Sequence, residues 1–215
     1  MAIMGKPSKP LKATSLGTDN KPSRKALPVG LLLAAGAGSR FGGRKLEHPL
    51  ADGVAIAAHA ARHLQAAGLA VTAVVRPGDG PVVQLLEAEG CRVTVCPDAA
   101  QGMGVSLAHA VRMTSDAGGW VVALADMPRI RPETIRRVVQ TLGAGAQIVA
   151  PSYQGDRGHP VAFAPSFLGE LQALIGDSGA RAIVQRNQAL VRWVEVDDPG
   201  ILLDIDRRAD LSILN

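Results

Sequence analysis

The chain has 215 residues, of which 47% are hydrophobic but only 3% aromatic, and a formal charge of +4. That length suits one α/β domain with a full core, and no apolar run approaches the ~20 residues of a membrane-spanning helix. No charged segment followed by an apolar one opens the chain like a secretory signal, so a cytoplasmic protein with no membrane partner is expected.

The positive charge is local. Residues 1–28 carry six Lys/Arg against one Asp, so the remainder is close to neutral. Residues 1–27 are rich in Lys, Pro, Ser and Thr and lack a hydrophobic period. They are read as a disordered basic tail, a solvated extension rather than a nucleic-acid arm, and residues 28–215 as the folded domain.

The first element is a short apolar run from Val29 that breaks into glycine at Gly36, the pattern of a buried strand. Gly36, Gly38, Gly42 and Gly43 follow, with Arg40 and Lys45 among them. Glycines let a loop turn tightly and aim several N–H groups at one anion, which the two cations can also reach. The loop is therefore read as a phosphate cradle. It is not a P-loop, because Leu46 follows Lys45, and it meets GxGxxG only if the spacing is stretched. Pro49 opposes the helix that a dinucleotide fingerprint needs there.

A helix is predicted over Val54–Ala67, ended by Gly68. Its His59 and His63, at i and i+4, could hold a metal, but no third ligand accompanies them and surface or packing roles are the simpler reading. A strand over Ala70–Val75, a helix over Pro81–Ala88 and a strand over Cys91–Val95 come next. Cys91 and Cys96 lie five apart, so an extended chain points them to opposite faces and forbids a disulfide or a shared metal; two reduced thiols are expected. The loop Pro97–Gly104 leads into a helix to Met113, and the apolar run Trp120–Ala125 reads as a strand covered on both faces. It ends in Asp126.

A helix over Arg131–Leu142, a strand Ile148–Pro151, a loop Tyr153–His159 and a strand Pro160–Ala164 follow. Helices are read at Phe167–Ile175 and Ala180–Gln188, extended segments at Val191–Val196 and Leu202–Ile205, and a short helix at the end. This alternation predicts a three-layer, Rossmann-like α/β fold with a mainly parallel, mixed sheet. Ligands then bind beyond the strand carboxyl ends, where the glycine loop, Pro97–Gly104 and Asp126 converge. Asp126 at a strand end can hold Mg²⁺, and Asp204 or Asp206, alternate residues that share a face if extended, could add a second carboxylate.

The stretches LAAGAGSRFGGRK, CPDAAQGMGVSLAHAV, ALADMP, RGHPVAF, GDSGARAIV and LLDIDRRADL occur in that order. Together they resemble the MobA-like NTP transferases, most closely the molybdenum cofactor cytidylyltransferase branch, across about residues 28–215. The resemblance implies a nucleotidyltransferase fold and Mg²⁺-dependent transfer of a nucleotidyl group from CTP or GTP to a phosphorylated acceptor. For this branch the acceptor is molybdopterin, with a molybdoenzyme or its chaperone as a partner.

Carried over residue by residue, Leu33, Ala34, Ala35, Gly36, Ala37 and Gly38 hold nucleotide. Arg40 and Lys45 act on the triphosphate. Asp126 holds the metal with Asp204, Asp206 being the other candidate. Gln101, Gly102 and Ser106 lie near base and ribose, and Gly158, His159 and Pro160 line the acceptor side. Relatives that use GTP tend to read LAGG where this chain has Ala34-Ala35, so CTP is favoured. The segment Glu47–Ala55 lacks the proline of the relatives' Gly-x-Pro-Leu turn. That departure leaves the acceptor open, not the chemistry of nucleotide transfer. The alternatives are the same chemistry with GTP or with a sugar or polyol phosphate acceptor, or a protein that binds nucleotide without catalysis.

Overall fold

A computed structural model describes Met1 and residues 26–214. Apart from Met1, Ala26 and Leu27, the basic tail expected to be disordered lies outside the described residues. The apolar run after Pro28 forms β1 (Val29–Leu33), which pairs in parallel with β2 (Ala70–Val75) on one side and β4 (Trp120–Leu124) on the other. β3 (Arg92–Val95) extends the parallel array beyond β2. The crossovers are α1 (Ile56–Ala66), α2 (Gly80–Ala88) and α3 (Met103–Met113).

After α4 (Pro132–Gly143) the sheet becomes mixed. β5 (Ile148–Tyr153) turns through the two-residue β6 (Asp156–Arg157), and β7 (Val161–Phe163) inserts antiparallel between β4 and β5. Two short helices, α5 (Leu168–Gln172) and α6 (Arg181–Arg186), precede β8 (Val191–Glu195), which pairs in parallel with β5 at the edge. The strand order is β3-β2-β1-β4-β7-β5-β6, with β8 on β5. β1 therefore sends its chain one way to β2 while β4 lies on its other side, and this reversal opens a crevice beyond the carboxyl ends of β1 and β4.

Alternate residues of the central strands supply two apolar faces. On one, Leu32, Val121 and Ala123 pack with Ile56 and Leu64 of α1, Leu86 of α2 and Ile135 and Val138 of α4. On the other, Leu31, Leu33, Trp120 and Val122 pack with Leu107 and Val111 of α3, Leu171 of α5 and Ile183 of α6. These are the three layers expected from the alternation, and the core is aliphatic as the composition requires. Cys91 and Cys96 fall in opposite faces, both free and buried, and burial pushes the Cys91 thiol up to about 11.

Three expectations are corrected. α3 starts at Met103 rather than Val105, because Gly102, at φ 125°, makes the turn that opens it. The polar loop 153–159 contains β6, a hairpin strand too short and charged to show a period. Leu202–Ile205 is not extended sheet: Pro199–Leu202 is a 3₁₀ turn and the next residues join no strand. Asp198 causes this. Its carboxylate, 2% exposed, accepts from the Gly200 and Arg131 amides at 3.1 and 2.9 Å and from Thr134 Oγ1 at 2.6 Å. The chain is thereby wound against the start of α4 instead of running along the sheet. The closing segment, Arg208–Leu214, is 3₁₀. Among the described residues no helix is long and apolar enough to cross a membrane.

Candidate active site

The glycine loop leaves β1 at the crevice and is held by its own backbone. The Phe41 and Gly43 amides both donate to the Gly38 carbonyl, at 3.1 and 3.2 Å, and buried Phe41 anchors the turn in the core. Gly38 sits at φ 59°, and a Cβ there would lie 3.2 Å from Lys45 Cβ. Its missing side chain therefore serves two ends, the left-handed turn and the close approach of the Lys45 stem. The loop thus folds Lys45 back over the end of β4.

Lys45 Nζ donates to Asp126 Oδ2 at 2.7 Å and lies 3.8 Å from Asp206 Oδ1; Arg40 donates to Asp206 Oδ2. Lys45 is the buried member of the cluster, with a side chain 10% exposed, whereas that of Arg40 is 70% exposed. The Lys45–Asp126 contact consequently feels a lower dielectric than the Arg40–Asp206 pair, which is worth ~1 kcal/mol at most. The second Asp126 oxygen, Oδ1, is buried with no hydrogen-bond partner among the described residues. A buried carboxylate oxygen without a donor, next to a second carboxylate, suits a hard divalent cation that completes its shell with phosphate oxygens and water. Protein groups alone do not complete such a shell: no cluster of three or more metal-ligating side chains occurs among the described residues.

Asp206 reaches this cluster because the C-terminal segment is pinned on three sides. Ile205 is buried and its amide donates to the Asp126 carbonyl at 3.0 Å. Asp210 accepts from the Asp206 and Arg207 amides at 2.8 and 2.6 Å. The Arg208 guanidinium lies 5.0 Å from the Phe41 ring centre, tying the segment to the glycine loop. Asp204 is exposed and forms no ion pair among the described residues. Asp206 is thus the acidic-motif carboxylate that the structure brings onto Arg40 and Lys45.

Two adjoining cavities open here. The first, about 580 Å³, is lined by Leu33–Ala37, Lys45, Gly102, Ser106 and Asp126. Arg76 and Asp177 also line it, and neither stood out in the sequence as a site residue, although Asp177 lies in the GDSGAR stretch. The α3 N-terminus points into this cavity through Gly102 and Met103, as suits an anion. Gly102 is required there, since a Cβ would run into Asp177 and the Gly176 backbone. Gln101 does not line the cavity; its amide turns back to Asp98 at 3.1 Å. Gly38 and Arg40 also stand outside the lining.

The second cavity, about 450 Å³, shares Leu33, Met103, Leu124 and Asp177 with the first and extends over β4, β5, β7 and β8. Gly158 and His159 line it, while Pro160 is buried behind them. Gly158 has a packing reason of its own, because a Cβ would lie 2.7 Å from the Ile201 side chain. Burial pushes the pKa of His159 below the usual histidine value, opposed in part by a backbone hydrogen bond with Val122 and the charges of Asp126 and Asp204. Its Nδ1 has no hydrogen-bond partner among the described residues, and the lowered pKa favours the neutral ring. His59 and His63 face a separate cavity, His59 being 3.1 Å from Asp52, and take no part in this site.

Residues 30–191 match the family described as the MobA-like NTP transferase domain. No curated protein matches the chain. Among solved structures it is similar to Rv0371c from Mycobacterium tuberculosis H37Rv, at 29% identity and a TM-score of 0.78 over 88% of this chain and 97% of that one. It is also similar to the manganese complex of Rv0371c, at 29% identity and a TM-score of 0.71 over 87% and 97%. The molybdopterin-guanine dinucleotide biosynthesis protein A from Archaeoglobus fulgidus shares the fold at 19% identity, with a TM-score of 0.63 over 87% and 96%.

Proposed function

Because the chain belongs to the MobA-like NTP transferase family, we propose that this nucleotidyltransferase moves CMP from CTP to the phosphate of molybdopterin and releases pyrophosphate. The observation that supports the reading is the Lys45–Asp126–Asp206–Arg40 cluster, whose Lys45 and Asp126 line the cavity of the phosphate-type loop, beside a second cavity that adjoins it. Ala34 and Ala35, where GTP-using relatives tend to read LAGG, favour CTP, and both line the nucleotide cavity.

In this reading the α3 N-terminus and the backbone of residues 34–38 hold the triphosphate, and Lys45 sits at the α-phosphate. An oxygen of the acceptor phosphate attacks the α-phosphorus. The new P–O bond forms as the bond to the bridging oxygen breaks, and the electron pair leaves with pyrophosphate. The acceptor phosphate is already ionised near pH 7, so no general base is needed, and His159 binds rather than transfers a proton. Lys45 and Arg40 stabilise the negative charge that builds on the α-phosphoryl and leaving oxygens. Mg²⁺ would be held by Asp126 with Asp206 or Asp204 and, when bound, supplies further neutralisation of phosphate charge. The manganese complex of Rv0371c supports a divalent metal in this role. A molybdoenzyme or its chaperone would receive the product.

The test is pyrophosphate release from purified protein with CTP or GTP against molybdopterin and against sugar and polyol phosphates. Release with CTP and molybdopterin supports the reading. Release only with another pair reassigns substrates, and none with any pair returns the chain to a binding role.

A further inference from the structure

The chain holds only two Trp, one Tyr and three Phe. All three Phe and Trp120 are buried in the core, but Trp193 is 44% exposed and lines the second cavity. It stands opposite Ala150 in the β5–β8 ladder, and Ala150 lines the same cavity with Val122 and Val161. Val194, the next residue, turns to the opposite face and is buried there. A strand register that puts valine under cover and leaves tryptophan in the open spends an aromatic face on solvent, which core packing does not require. Arg157 and Arg181 line the same cavity. Neither has a side-chain hydrogen bond or ion pair among the described residues, unlike Arg76, which is held by Asp79 at 3.1 Å.

We infer that Trp193 is the specificity-determining platform of the acceptor cavity, stacking on a planar heteroaromatic ring while Arg157 and Arg181 meet the acceptor's acidic groups. This rests on the transferase reading above and adds to it the residues that choose the acceptor. The cavity shares Leu33, Leu124 and Asp177 with the nucleotide cavity. An acceptor seated on Trp193 therefore lies beside the cavity that Lys45 and Asp126 line. An aliphatic phosphate has no flat face to offer the ring, so the platform discriminates by shape and dispersion rather than by charge.

The experiment compares wild type with Trp193→Phe and Trp193→Ala, using CTP with molybdopterin and, as the aliphatic probe, ribitol 5-phosphate. The expected result for Trp193→Ala is a KM for molybdopterin raised about tenfold or more, in the range of a lost stacking contact, with kcat and CTP Kd unchanged. Trp193→Phe should restore most of the loss. Molybdopterin should change the tryptophan emission of wild type, and Trp193→Phe, left with buried Trp120 alone, should lose that response. An unchanged KM in Trp193→Ala, with wild type active, overturns the platform and leaves the transferase reading standing. So does a change in oligomeric state on gel filtration without a change in KM, since Trp193 would then be an interface residue. Failure of wild type to release pyrophosphate with any acceptor, and to change emission with molybdopterin, overturns both.

Discussion

The two cavities meet at one rim but are built in different ways. The nucleotide side draws mostly on stretches that follow a parallel strand: 33–37 and 45 after β1, Arg76 and Pro77 after β2, 97–106 after β3 and Asp126 after β4, with Asp177 added from the turn between α5 and α6. The acceptor side combines single residues of β4, β5, β7 and β8 with two contiguous turns, Arg157–His159 and Asp177–Arg181. The difference follows from what each must hold. A triphosphate is gripped largely by backbone N–H groups and one or two cations, so a loop with fixed glycine spacing suffices. An acceptor is distinguished by side chains that project from one face of a mixed sheet, and those positions are scattered along the chain.

The sharpest way to test this contrast is Lys45→Ala. Its loss should lower kcat by ~100-fold or more, as for other single electrostatic stabilisers, with little change in CTP Kd because the loop backbone still binds phosphate. Lys45→Arg should not restore the rate, since a planar fork does not fit where a compact ammonium sits 10% exposed between two carboxylates. Steady-state kcat and a titrated CTP Kd decide it: weaker binding at unchanged kcat would make Lys45 a uniform binding group.

Asp198→Ala probes the C-terminal segment, which lines neither cavity but carries Asp206 to Arg40 and Lys45. Three donors lose their acceptor, two of them backbone amides, so stability should fall by about 2–3 kcal/mol. Urea unfolding measures this, and a change below about 0.5 kcal/mol would mean that the segment is held without Asp198. Arg40→Ala should act more mildly, raising the CTP Kd about threefold at low salt and less at high salt, because its pair with Asp206 is exposed. An effect as large as that of Lys45→Ala would erase the distinction drawn here between the inner and outer cation.

The smallest effect expected is on pH. His63, His109 and His159 all have pKa values pushed below the ordinary histidine value, chiefly by burial. Between those lowered values and ~6.5 the unfolded chain binds more protons than the native one, so stability is full above about pH 6.5 and falls as pH drops below it. Tm should be a few degrees lower at about pH 5.5 than at about pH 7.5. His159→Gln should flatten part of that slope. A Tm that rises on acidification would contradict a neutral His159.

The sequence by itself determined the aliphatic three-layer core, the alternating strands and helices up to α4, the opposed buried cysteines and the cation-bearing glycine loop. Those properties are written in local periods and spacings, which neighbouring residues enforce. It also marked Asp126, because an apolar strand that ends in a carboxylate must deliver it to the sheet rim.

Only the tertiary structure decided that Asp206 rather than Asp204 meets Arg40 and Lys45, and that Gln101 turns away to Asp98. It also put Arg76 and Asp177 in the lining of one cavity and Trp193 in that of the other. Each of these depends on a contact distant in sequence. The wound segment after Asp198 sets the phase of the acidic motif, and the β5–β8 register sets the face of Trp193. Two carboxylates two residues apart look equivalent in an extended chain. The turn begun by Asp198 and the Ile205–Asp126 hydrogen bond remove that equivalence, and no local pattern carries that information.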